Sequence, residues 1–148
     1  MPGASWMVFD TNVYVAAVRE GLTGPSFARL QATAPRTFLA SVVAAELRAG
    51  ALDEAGRTVV IELVKRFERL GRIVTPTAQS WNDVGDVLAR IVRREPALRT
   101  KVRGLWNGAL IALSARQIGA TVVTGNIRDF GLLRRYVRFD VEAAPNGS

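Results

Sequence analysis

Three acids stand where the chain changes character. Asp10 ends the apolar run of residues 6–9 in WMVFDTNVYV, Glu46 lies inside SVVAAELRAG, and Asp129 closes TGNIRD. Each has an ordinary reading on its own. Asp10 suits a helix N-cap. Glu46 sits one turn after Val42 and Val43 on an otherwise apolar face, where a carboxylate needs an arginine partner or a metal. Gly125-Asn126 is a good turn dipeptide, and Asp129 suits the cap of a short helix. Taken together they suggest more. Acids drawn to one place from distant parts of a chain repel one another unless a cation holds them. The chain has no histidine and no cysteine, so every candidate ligand is an oxygen, which points to Mg²⁺ or Mn²⁺. The chemistry implied is metal-assisted hydrolysis of a phosphodiester.

The same composition removes Ser-His and Cys-His catalysis, imidazole ligands, thiolate sites and disulfides. It suits a cytoplasmic protein. The formal charge is +7, carried almost wholly by arginine, and a balance of this size favours a polyanionic partner, RNA or DNA first. The densest basic segment, RIVRREPALRTKVRG, supplies Arg90, Arg93, Arg94, Arg99, Lys101 and Arg103, and Arg128 follows further on. No signal peptide and no membrane span is read in the sequence.

Those residues need elements to position them. Residues 6–9, RTFLAS, RIVTP and ATVVT read as buried strands, and YVRFDVEA alternates like an edge strand, with Val137, Phe139 and Val141 on one face. Helices are expected between them. The first is capped by Thr11 or Asn12 and stopped by Gly21, the second has Pro25 in its first turn, and the third is capped by Ser41. A fourth runs from about residue 53 to 70 with a stripe through Val59, Val60, Leu63, Val64, Phe67 and Leu70. A fifth starts at Ser80 with Trp81 and Val84 inward, and GALIALSARQIG is a helix apolar nearly all round. Trp81 and Trp106 are of a type that stacks on bases, though their helical spacing favours the core. Strands alternating with helices predict a three-layer α/β/α sandwich around a mainly parallel sheet, in one domain over residues 1–143 with a disordered tail at 144–148. In such sheets ligands bind beyond the carboxyl ends of the strands, where all three acids fall.

MVFDTNVYV, SVVAAELRAG and NGALIALSARQIGATVVTGNIRDF, in that order and spacing, resemble the PIN-domain family, in particular toxins of the VapC type. The resemblance covers nearly the whole chain. It implies a PIN-like fold, a Mg²⁺- or Mn²⁺-dependent endoribonuclease acting on RNA, a cognate antitoxin, a homodimer and a bacterial cytoplasm. Carried over residue by residue, it implies Asp10 as the first metal-binding acid and Glu46 as the second; Asn126 falls where the family often has a fourth acid, Asn followed by Asp-Phe is also common there, and Asp129 matches that Asp-Phe. Thr11, Asn12, Thr124 and Asn126 become polar neighbours of the site.

The chain departs from the family pattern at one place. Where an acid opens the buried helix, this sequence reads WNGALIA, with Gly108 at the acid's position and Asn107 beside it, about 100° around the helix from the required direction. The alternative expectation is therefore a catalytically impaired PIN-like module that binds RNA or an antitoxin. A dehalogenase-like phosphatase needs a second Asp two residues after the first, and Asn12 stands there. A phospho-receiver needs an acidic pair that the N-terminal strand lacks.

Overall fold

A computed structural model describes residues 5–145. Among these, five strands form a single all-parallel sheet in the order β3-β2-β1-β4-β5. The strands are β1 (Met7–Phe9), β2 (Thr37–Ala40), β3 (Ile73–Val74), β4 (Thr121–Thr124) and β5 (Asp140–Ala143). The helices are α1 (Thr11–Glu20), α2 (Pro25–Thr33), α3 (Ser41–Gly50), α4 (Glu54–Arg69), α5 (Ala78–Arg94), α6 (Trp106–Gln117) and α7 (Ile127–Arg134). This is the expected PIN-like three-layer α/β/α sandwich.

The central strands are buried except for the half-buried Phe38 and Thr121, because helices cover the sheet, so they read as apolar runs rather than alternating ones. Val8, Phe9, Leu39, Val122 and Val123 are fully buried. Helix α6 lies against β1, β2 and β4, and seven consecutive residues, Ala109 to Ala115, are buried; its lack of an exposed apolar-polar division follows from that placement. Gly119 leads from α6 into β4 with φ 64° and Gly71 leads from α4 into β3 with φ 66°, a left-handed backbone that glycine adopts without a Cβ penalty.

Several local expectations are corrected. Asp10, not Thr11 or Asn12, is the N-cap of α1. Ser41 is the first helical residue of α3, which has no side-chain cap. Thr77 caps α5, its hydroxyl accepting from Ser80 N. Trp81 and Trp106 face outward, 52% and 39% exposed; each lies in the first turn of its helix, ahead of the buried apolar residues that begin at Val84 in α5 and Ala109 in α6. In α4 only Val64 is buried, and Val59 and Leu70 are exposed. Val137 and Phe139 are buried as expected, but as part of the turn before β5, which pairs with β4 only from Asp140 onward. Ala144 donates its N–H to Thr124 O at 2.8 Å, so the chain stays tied to the sheet past residue 143. The rest of the expected tail, residues 146–148, lies outside the described residues.

Candidate active site

The register of the sheet builds the site. Pairing of Phe9 with Val123 sets the next residues, Asp10 and Thr124, side by side at the carboxyl ends of β1 and β4. Thr124, fully buried, donates from Oγ1 to Asp10 Oδ2 at 2.7 Å and accepts from Asn126 N at 2.9 Å. The other oxygen of Asp10 accepts from Thr11 N at 2.8 Å, which is its capping bond. The capping role and a role in the site are thus the same placement, since Asp10 caps α1 while remaining at the sheet's rim.

Helix α3 leaves β2 beside α1 and brings Glu46 to the same place. Thr11 Oγ1 donates to Glu46 Oε1 at 2.9 Å, and Asn107 Nδ2, at the start of α6, donates to Glu46 Oε2 at 3.2 Å. Asn107 does reach the site, through this bond to Glu46. On the other flank Asn126 caps α7, its Oδ1 accepting from Asp129 N at 3.2 Å, while its Nδ2 donates to Asp129 Oδ2 at 3.0 Å. Asn12 Oδ1 accepts from Gly125 N at 3.3 Å and ties the start of α1 to the turn after β4.

Asp10, Glu46 and Asp129 line one cavity of about 610 Å³, together with Thr11, Asn12, Asn107, Gly108 and Asn126. Burial pushes the Asp10 carboxyl above the usual carboxylate range; the bonds from Thr124 and Thr11 oppose this, and the negative charges of Glu46 and Asp129 add to it. A buried carboxylate facing two others is an electrostatic cost that a cation would relieve.

The donor set therefore suits a hard divalent ion in kind, being all oxygen, and falls short in number. Among the described residues no three acids form a ready-made metal-binding group. Gly108 contributes no side chain, and Lys101 already neutralises Asp129, its ammonium 2.9 Å from Oδ1. The glycine is not forced by crowding. A Cβ at position 108 would meet Leu133 Cδ1 and Phe130 Cζ at 3.5 Å, ordinary van der Waals contact.

The remaining basic residues divide. Lys101, expected on the RNA, is paired within the site, and Arg128 is exposed on α7 beside Asp129. Arg99 and Arg103 are exposed on either side of Lys101. Arg93 and Arg94 are exposed at the end of α5, and Arg90 lies over the Tyr136 ring at 5.7 Å, just past the end of α7; none of the three lines the acidic cavity. One cavity-lining cation was missed in the sequence: Arg19, which shares the cavity with Val15. The signal was present, since residues 11, 15 and 19 follow the i, i+4, i+8 spacing of one helix face.

A model of the PIN domain matches residues 7–135. The chain belongs to the PIN-domain family. PIN domains are generally nucleases and typically depend on a divalent metal. Among solved structures, the chain is similar to the DNA-bound VapBC complex of Salmonella typhimurium, at 20% identity over 95% of this chain and 98% of that one, with a TM-score of 0.65. It is similar to VapBC2 of Rickettsia felis bound to a promoter DNA fragment, at 24% identity over 94% and 98%, with a TM-score of 0.59. It also resembles FitAcB of Neisseria gonorrhoeae, at 24% identity over 91% and 95%, with a TM-score of 0.62. At these identities the likeness establishes the fold. No curated protein sequence matches. Among the described residues of this PIN domain, no helix is long and apolar enough to cross a membrane.

Proposed function

We propose that this PIN-domain protein is a VapC-type toxin of a toxin-antitoxin system, a Mg²⁺- or Mn²⁺-dependent endoribonuclease held in check in the cytoplasm by a cognate antitoxin and acting as a homodimer. The observation that carries the reading is Asp10, a buried carboxylate fixed by Thr11 N and Thr124 Oγ1 in a cavity it shares with Glu46 and Asp129. Two of the solved relatives named above are VapBC assemblies, which supports an antitoxin as partner of a VapC-type chain.

Asp10 and Glu46 would hold the metal, with Asp129 completing the set once Lys101 moves aside. When bound, a divalent ion lowers the pKa of its water and stabilises charge on the phosphate oxygens. The protein's own groups do the rest. Thr124 and Thr11 N fix both Asp10 oxygens, so the carboxylate cannot rotate away from the cavity. Thr11 Oγ1 and Asn107 fix Glu46 in the same way, aiming its remaining lone pairs at a water or a metal. Arg19 on the cavity wall, Arg128 next to Asp129 in the chain and Lys101 on Asp129 supply cations suited to the RNA backbone, arginine by its planar fork.

A second reading has its own observation. With Gly108 in place of an acid and Lys101 seated on Asp129, the chain is a PIN-like module that binds RNA or an antitoxin without cutting. Incubation of total RNA with the protein in Mg²⁺ or Mn²⁺, with and without EDTA, separates the two. Cleavage that requires metal and disappears in Asp10→Asn supports the nuclease. Absence of cleavage with retained RNA binding supports the module, and cleavage that survives Asp10→Asn removes Asp10 from the chemistry.

A further inference from the structure

The parallel sheet has a second rim, where the strands begin. There Gly119 and Ala120 lead into β4 and Asp140 opens β5, and a separate cavity of about 610 Å³ is lined by these residues with Arg116, Arg134, Arg135 and Arg138. Two of the four arginines are paired, Arg116 with Asp83 at 3.0 Å and Arg135 with Glu95 at 3.5 Å. Among the described residues Arg134 and Arg138 have no carboxylate within salt-bridge distance. A fifth guanidinium, Arg90, lies over the ring of Tyr136, whose hydroxyl donates to Glu95 at 2.9 Å. Converging cations in a concave surface repel one another and focus a positive potential, which suits an anion with several oxygens.

Helix α7 links this cavity to the acidic one. Its N-terminal turn carries Arg128 and Asp129, and its last residue is Arg134. Eight residues rising 1.5 Å each make it about 12 Å long. Arg128, Gly131 and Arg135 fall at i, i+3 and i+7 on one face, and all three are exposed. A track with Arg128 at one end, the Glu95-paired Arg135 at the other, and Gly131 and the half-buried Leu132 between, suits an extended chain of phosphates better than a compact anion.

We propose that the cavity at Arg134 and Arg138 is a docking site for the phosphate backbone of single-stranded RNA, holding a stretch of the strand that extends along α7 from the acidic cavity. The proposal rests on the reading of RNA as substrate, but not on cleavage. It accounts for a basic cluster that lies away from the acids, and it assigns Arg90 a supporting place beside Tyr136 rather than at the reacting phosphate.

The test is fluorescence anisotropy in EDTA, where no metal-dependent cleavage occurs, with a long and a short labelled oligouridine titrated at several salt concentrations. The variant is Arg134→Ala with Arg138→Ala; both residues are exposed, and circular dichroism checks that the fold is kept. Arg134→Gln and Arg138→Gln, made singly, stand in if the double variant does not fold. Loss of two phosphate contacts lowers the salt slope for the long strand by about 1.4. Its affinity falls about tenfold while that of the short strand, which reaches only the acidic cavity, is unchanged. An unchanged slope and affinity for the long strand would overturn the proposal, as would equal losses for both lengths. Competition by polyglutamate as effective as that by unlabelled RNA would overturn the choice of RNA in favour of an acidic protein. Because the readout is binding, a protein that fails to cut total RNA with Mg²⁺ and still shows this length-dependent loss leaves the docking site standing and the nuclease reading fallen.

Discussion

Lys101 places its ammonium 2.9 Å from Oδ1 of Asp129, a residue that lines the acidic cavity, so a carboxylate otherwise suited to a metal already has a cation. The pair is partly exposed, 39% and 24% by side chain, and an exposed ion pair is worth about 0–1 kcal/mol. A divalent ion that uses Asp129 must displace the ammonium and lose that energy. Lys101→Met should then tighten Mn²⁺ binding by up to about fivefold, with little change in thermal stability. Isothermal titration measures it, and an unchanged or weaker affinity would separate Asp129 from the metal.

Asp10 gives a pH-dependent prediction. Its folded-state pKa is raised above 3.8, chiefly by burial, so the folded protein keeps this proton at pH values where the unfolded chain has lost it. The contribution to stability is fully present below pH 3.8 and is lost as pH rises through the raised folded value. In chelator at neutral pH the ionised carboxylate is therefore a burden. Asp10→Asn, whose amide can still accept from Thr11 N, should melt higher than the wild type there, and the two should converge as pH falls toward 3.8. Added Mn²⁺ should reverse the order, because only the wild type gains from binding the ion. Melting curves across pH, with EDTA and with Mn²⁺, decide it; a wild type that melts higher than Asp10→Asn in EDTA at neutral pH contradicts the premise.

Much of this arrangement was legible in the sequence because two signals coincide. Apolar runs in β1, β2 and β4 mark strands buried on both faces, and a polar residue ending such a run marks the sheet's rim. Asp10, Asn126 and Asp129 were placed on that basis, and Thr124 by the family resemblance. Glu46 stood out as a charge on an apolar face. Contacts made between elements were not legible. That Lys101 turns to Asp129 rather than to solvent depends on how the connection after α5 crosses α7. Trp81 and Trp106 match a helical period, yet both fall in the first turn of their helices, ahead of the buried apolar residues of α5 and α6, and stay exposed there. Arg134, Arg135 and Arg138 are close in sequence, but only the turn that buries Val137 and Phe139 makes a cavity of them.

Arg19 lines the acidic cavity without a carboxylate partner among the described residues. It lies two turns along α1 from Thr11, so its guanidinium is available to a phosphate entering beside Val15. Arg19→Ala should weaken binding of single-stranded RNA and lower the salt slope by about 0.7, the share of one phosphate contact. Folding should be unaffected, since the residue is exposed. Anisotropy titrations at several salt concentrations give both numbers, and a slope equal to that of the wild type would place Arg19 outside the RNA path.

Gly108 offers the sharpest separation between a nuclease and a binding module. It is the third residue of α6, and a Cβ there meets only side-chain atoms at 3.5 Å. Gly108→Ala should fold normally and gain up to about 1 kcal/mol from helix propensity, somewhat less because the site is in the first turn. It should leave Mn²⁺ affinity unchanged. Gly108→Asp adds a carboxylate at a helix N-terminus, favourable by about 0.3–1 kcal/mol, but sets it in a cavity with Asp10 and Glu46. In EDTA it should therefore melt below Gly108→Ala, and with Mn²⁺ it should overtake it, binding the ion about tenfold or more tightly than the wild type. If the wild type cuts RNA weakly or not at all, metal-dependent cleavage should rise in Gly108→Asp alone. Equal Mn²⁺ affinities for the wild type and Gly108→Asp would mean that position 108 does not face the ion, and the missing acid could no longer explain a weak enzyme.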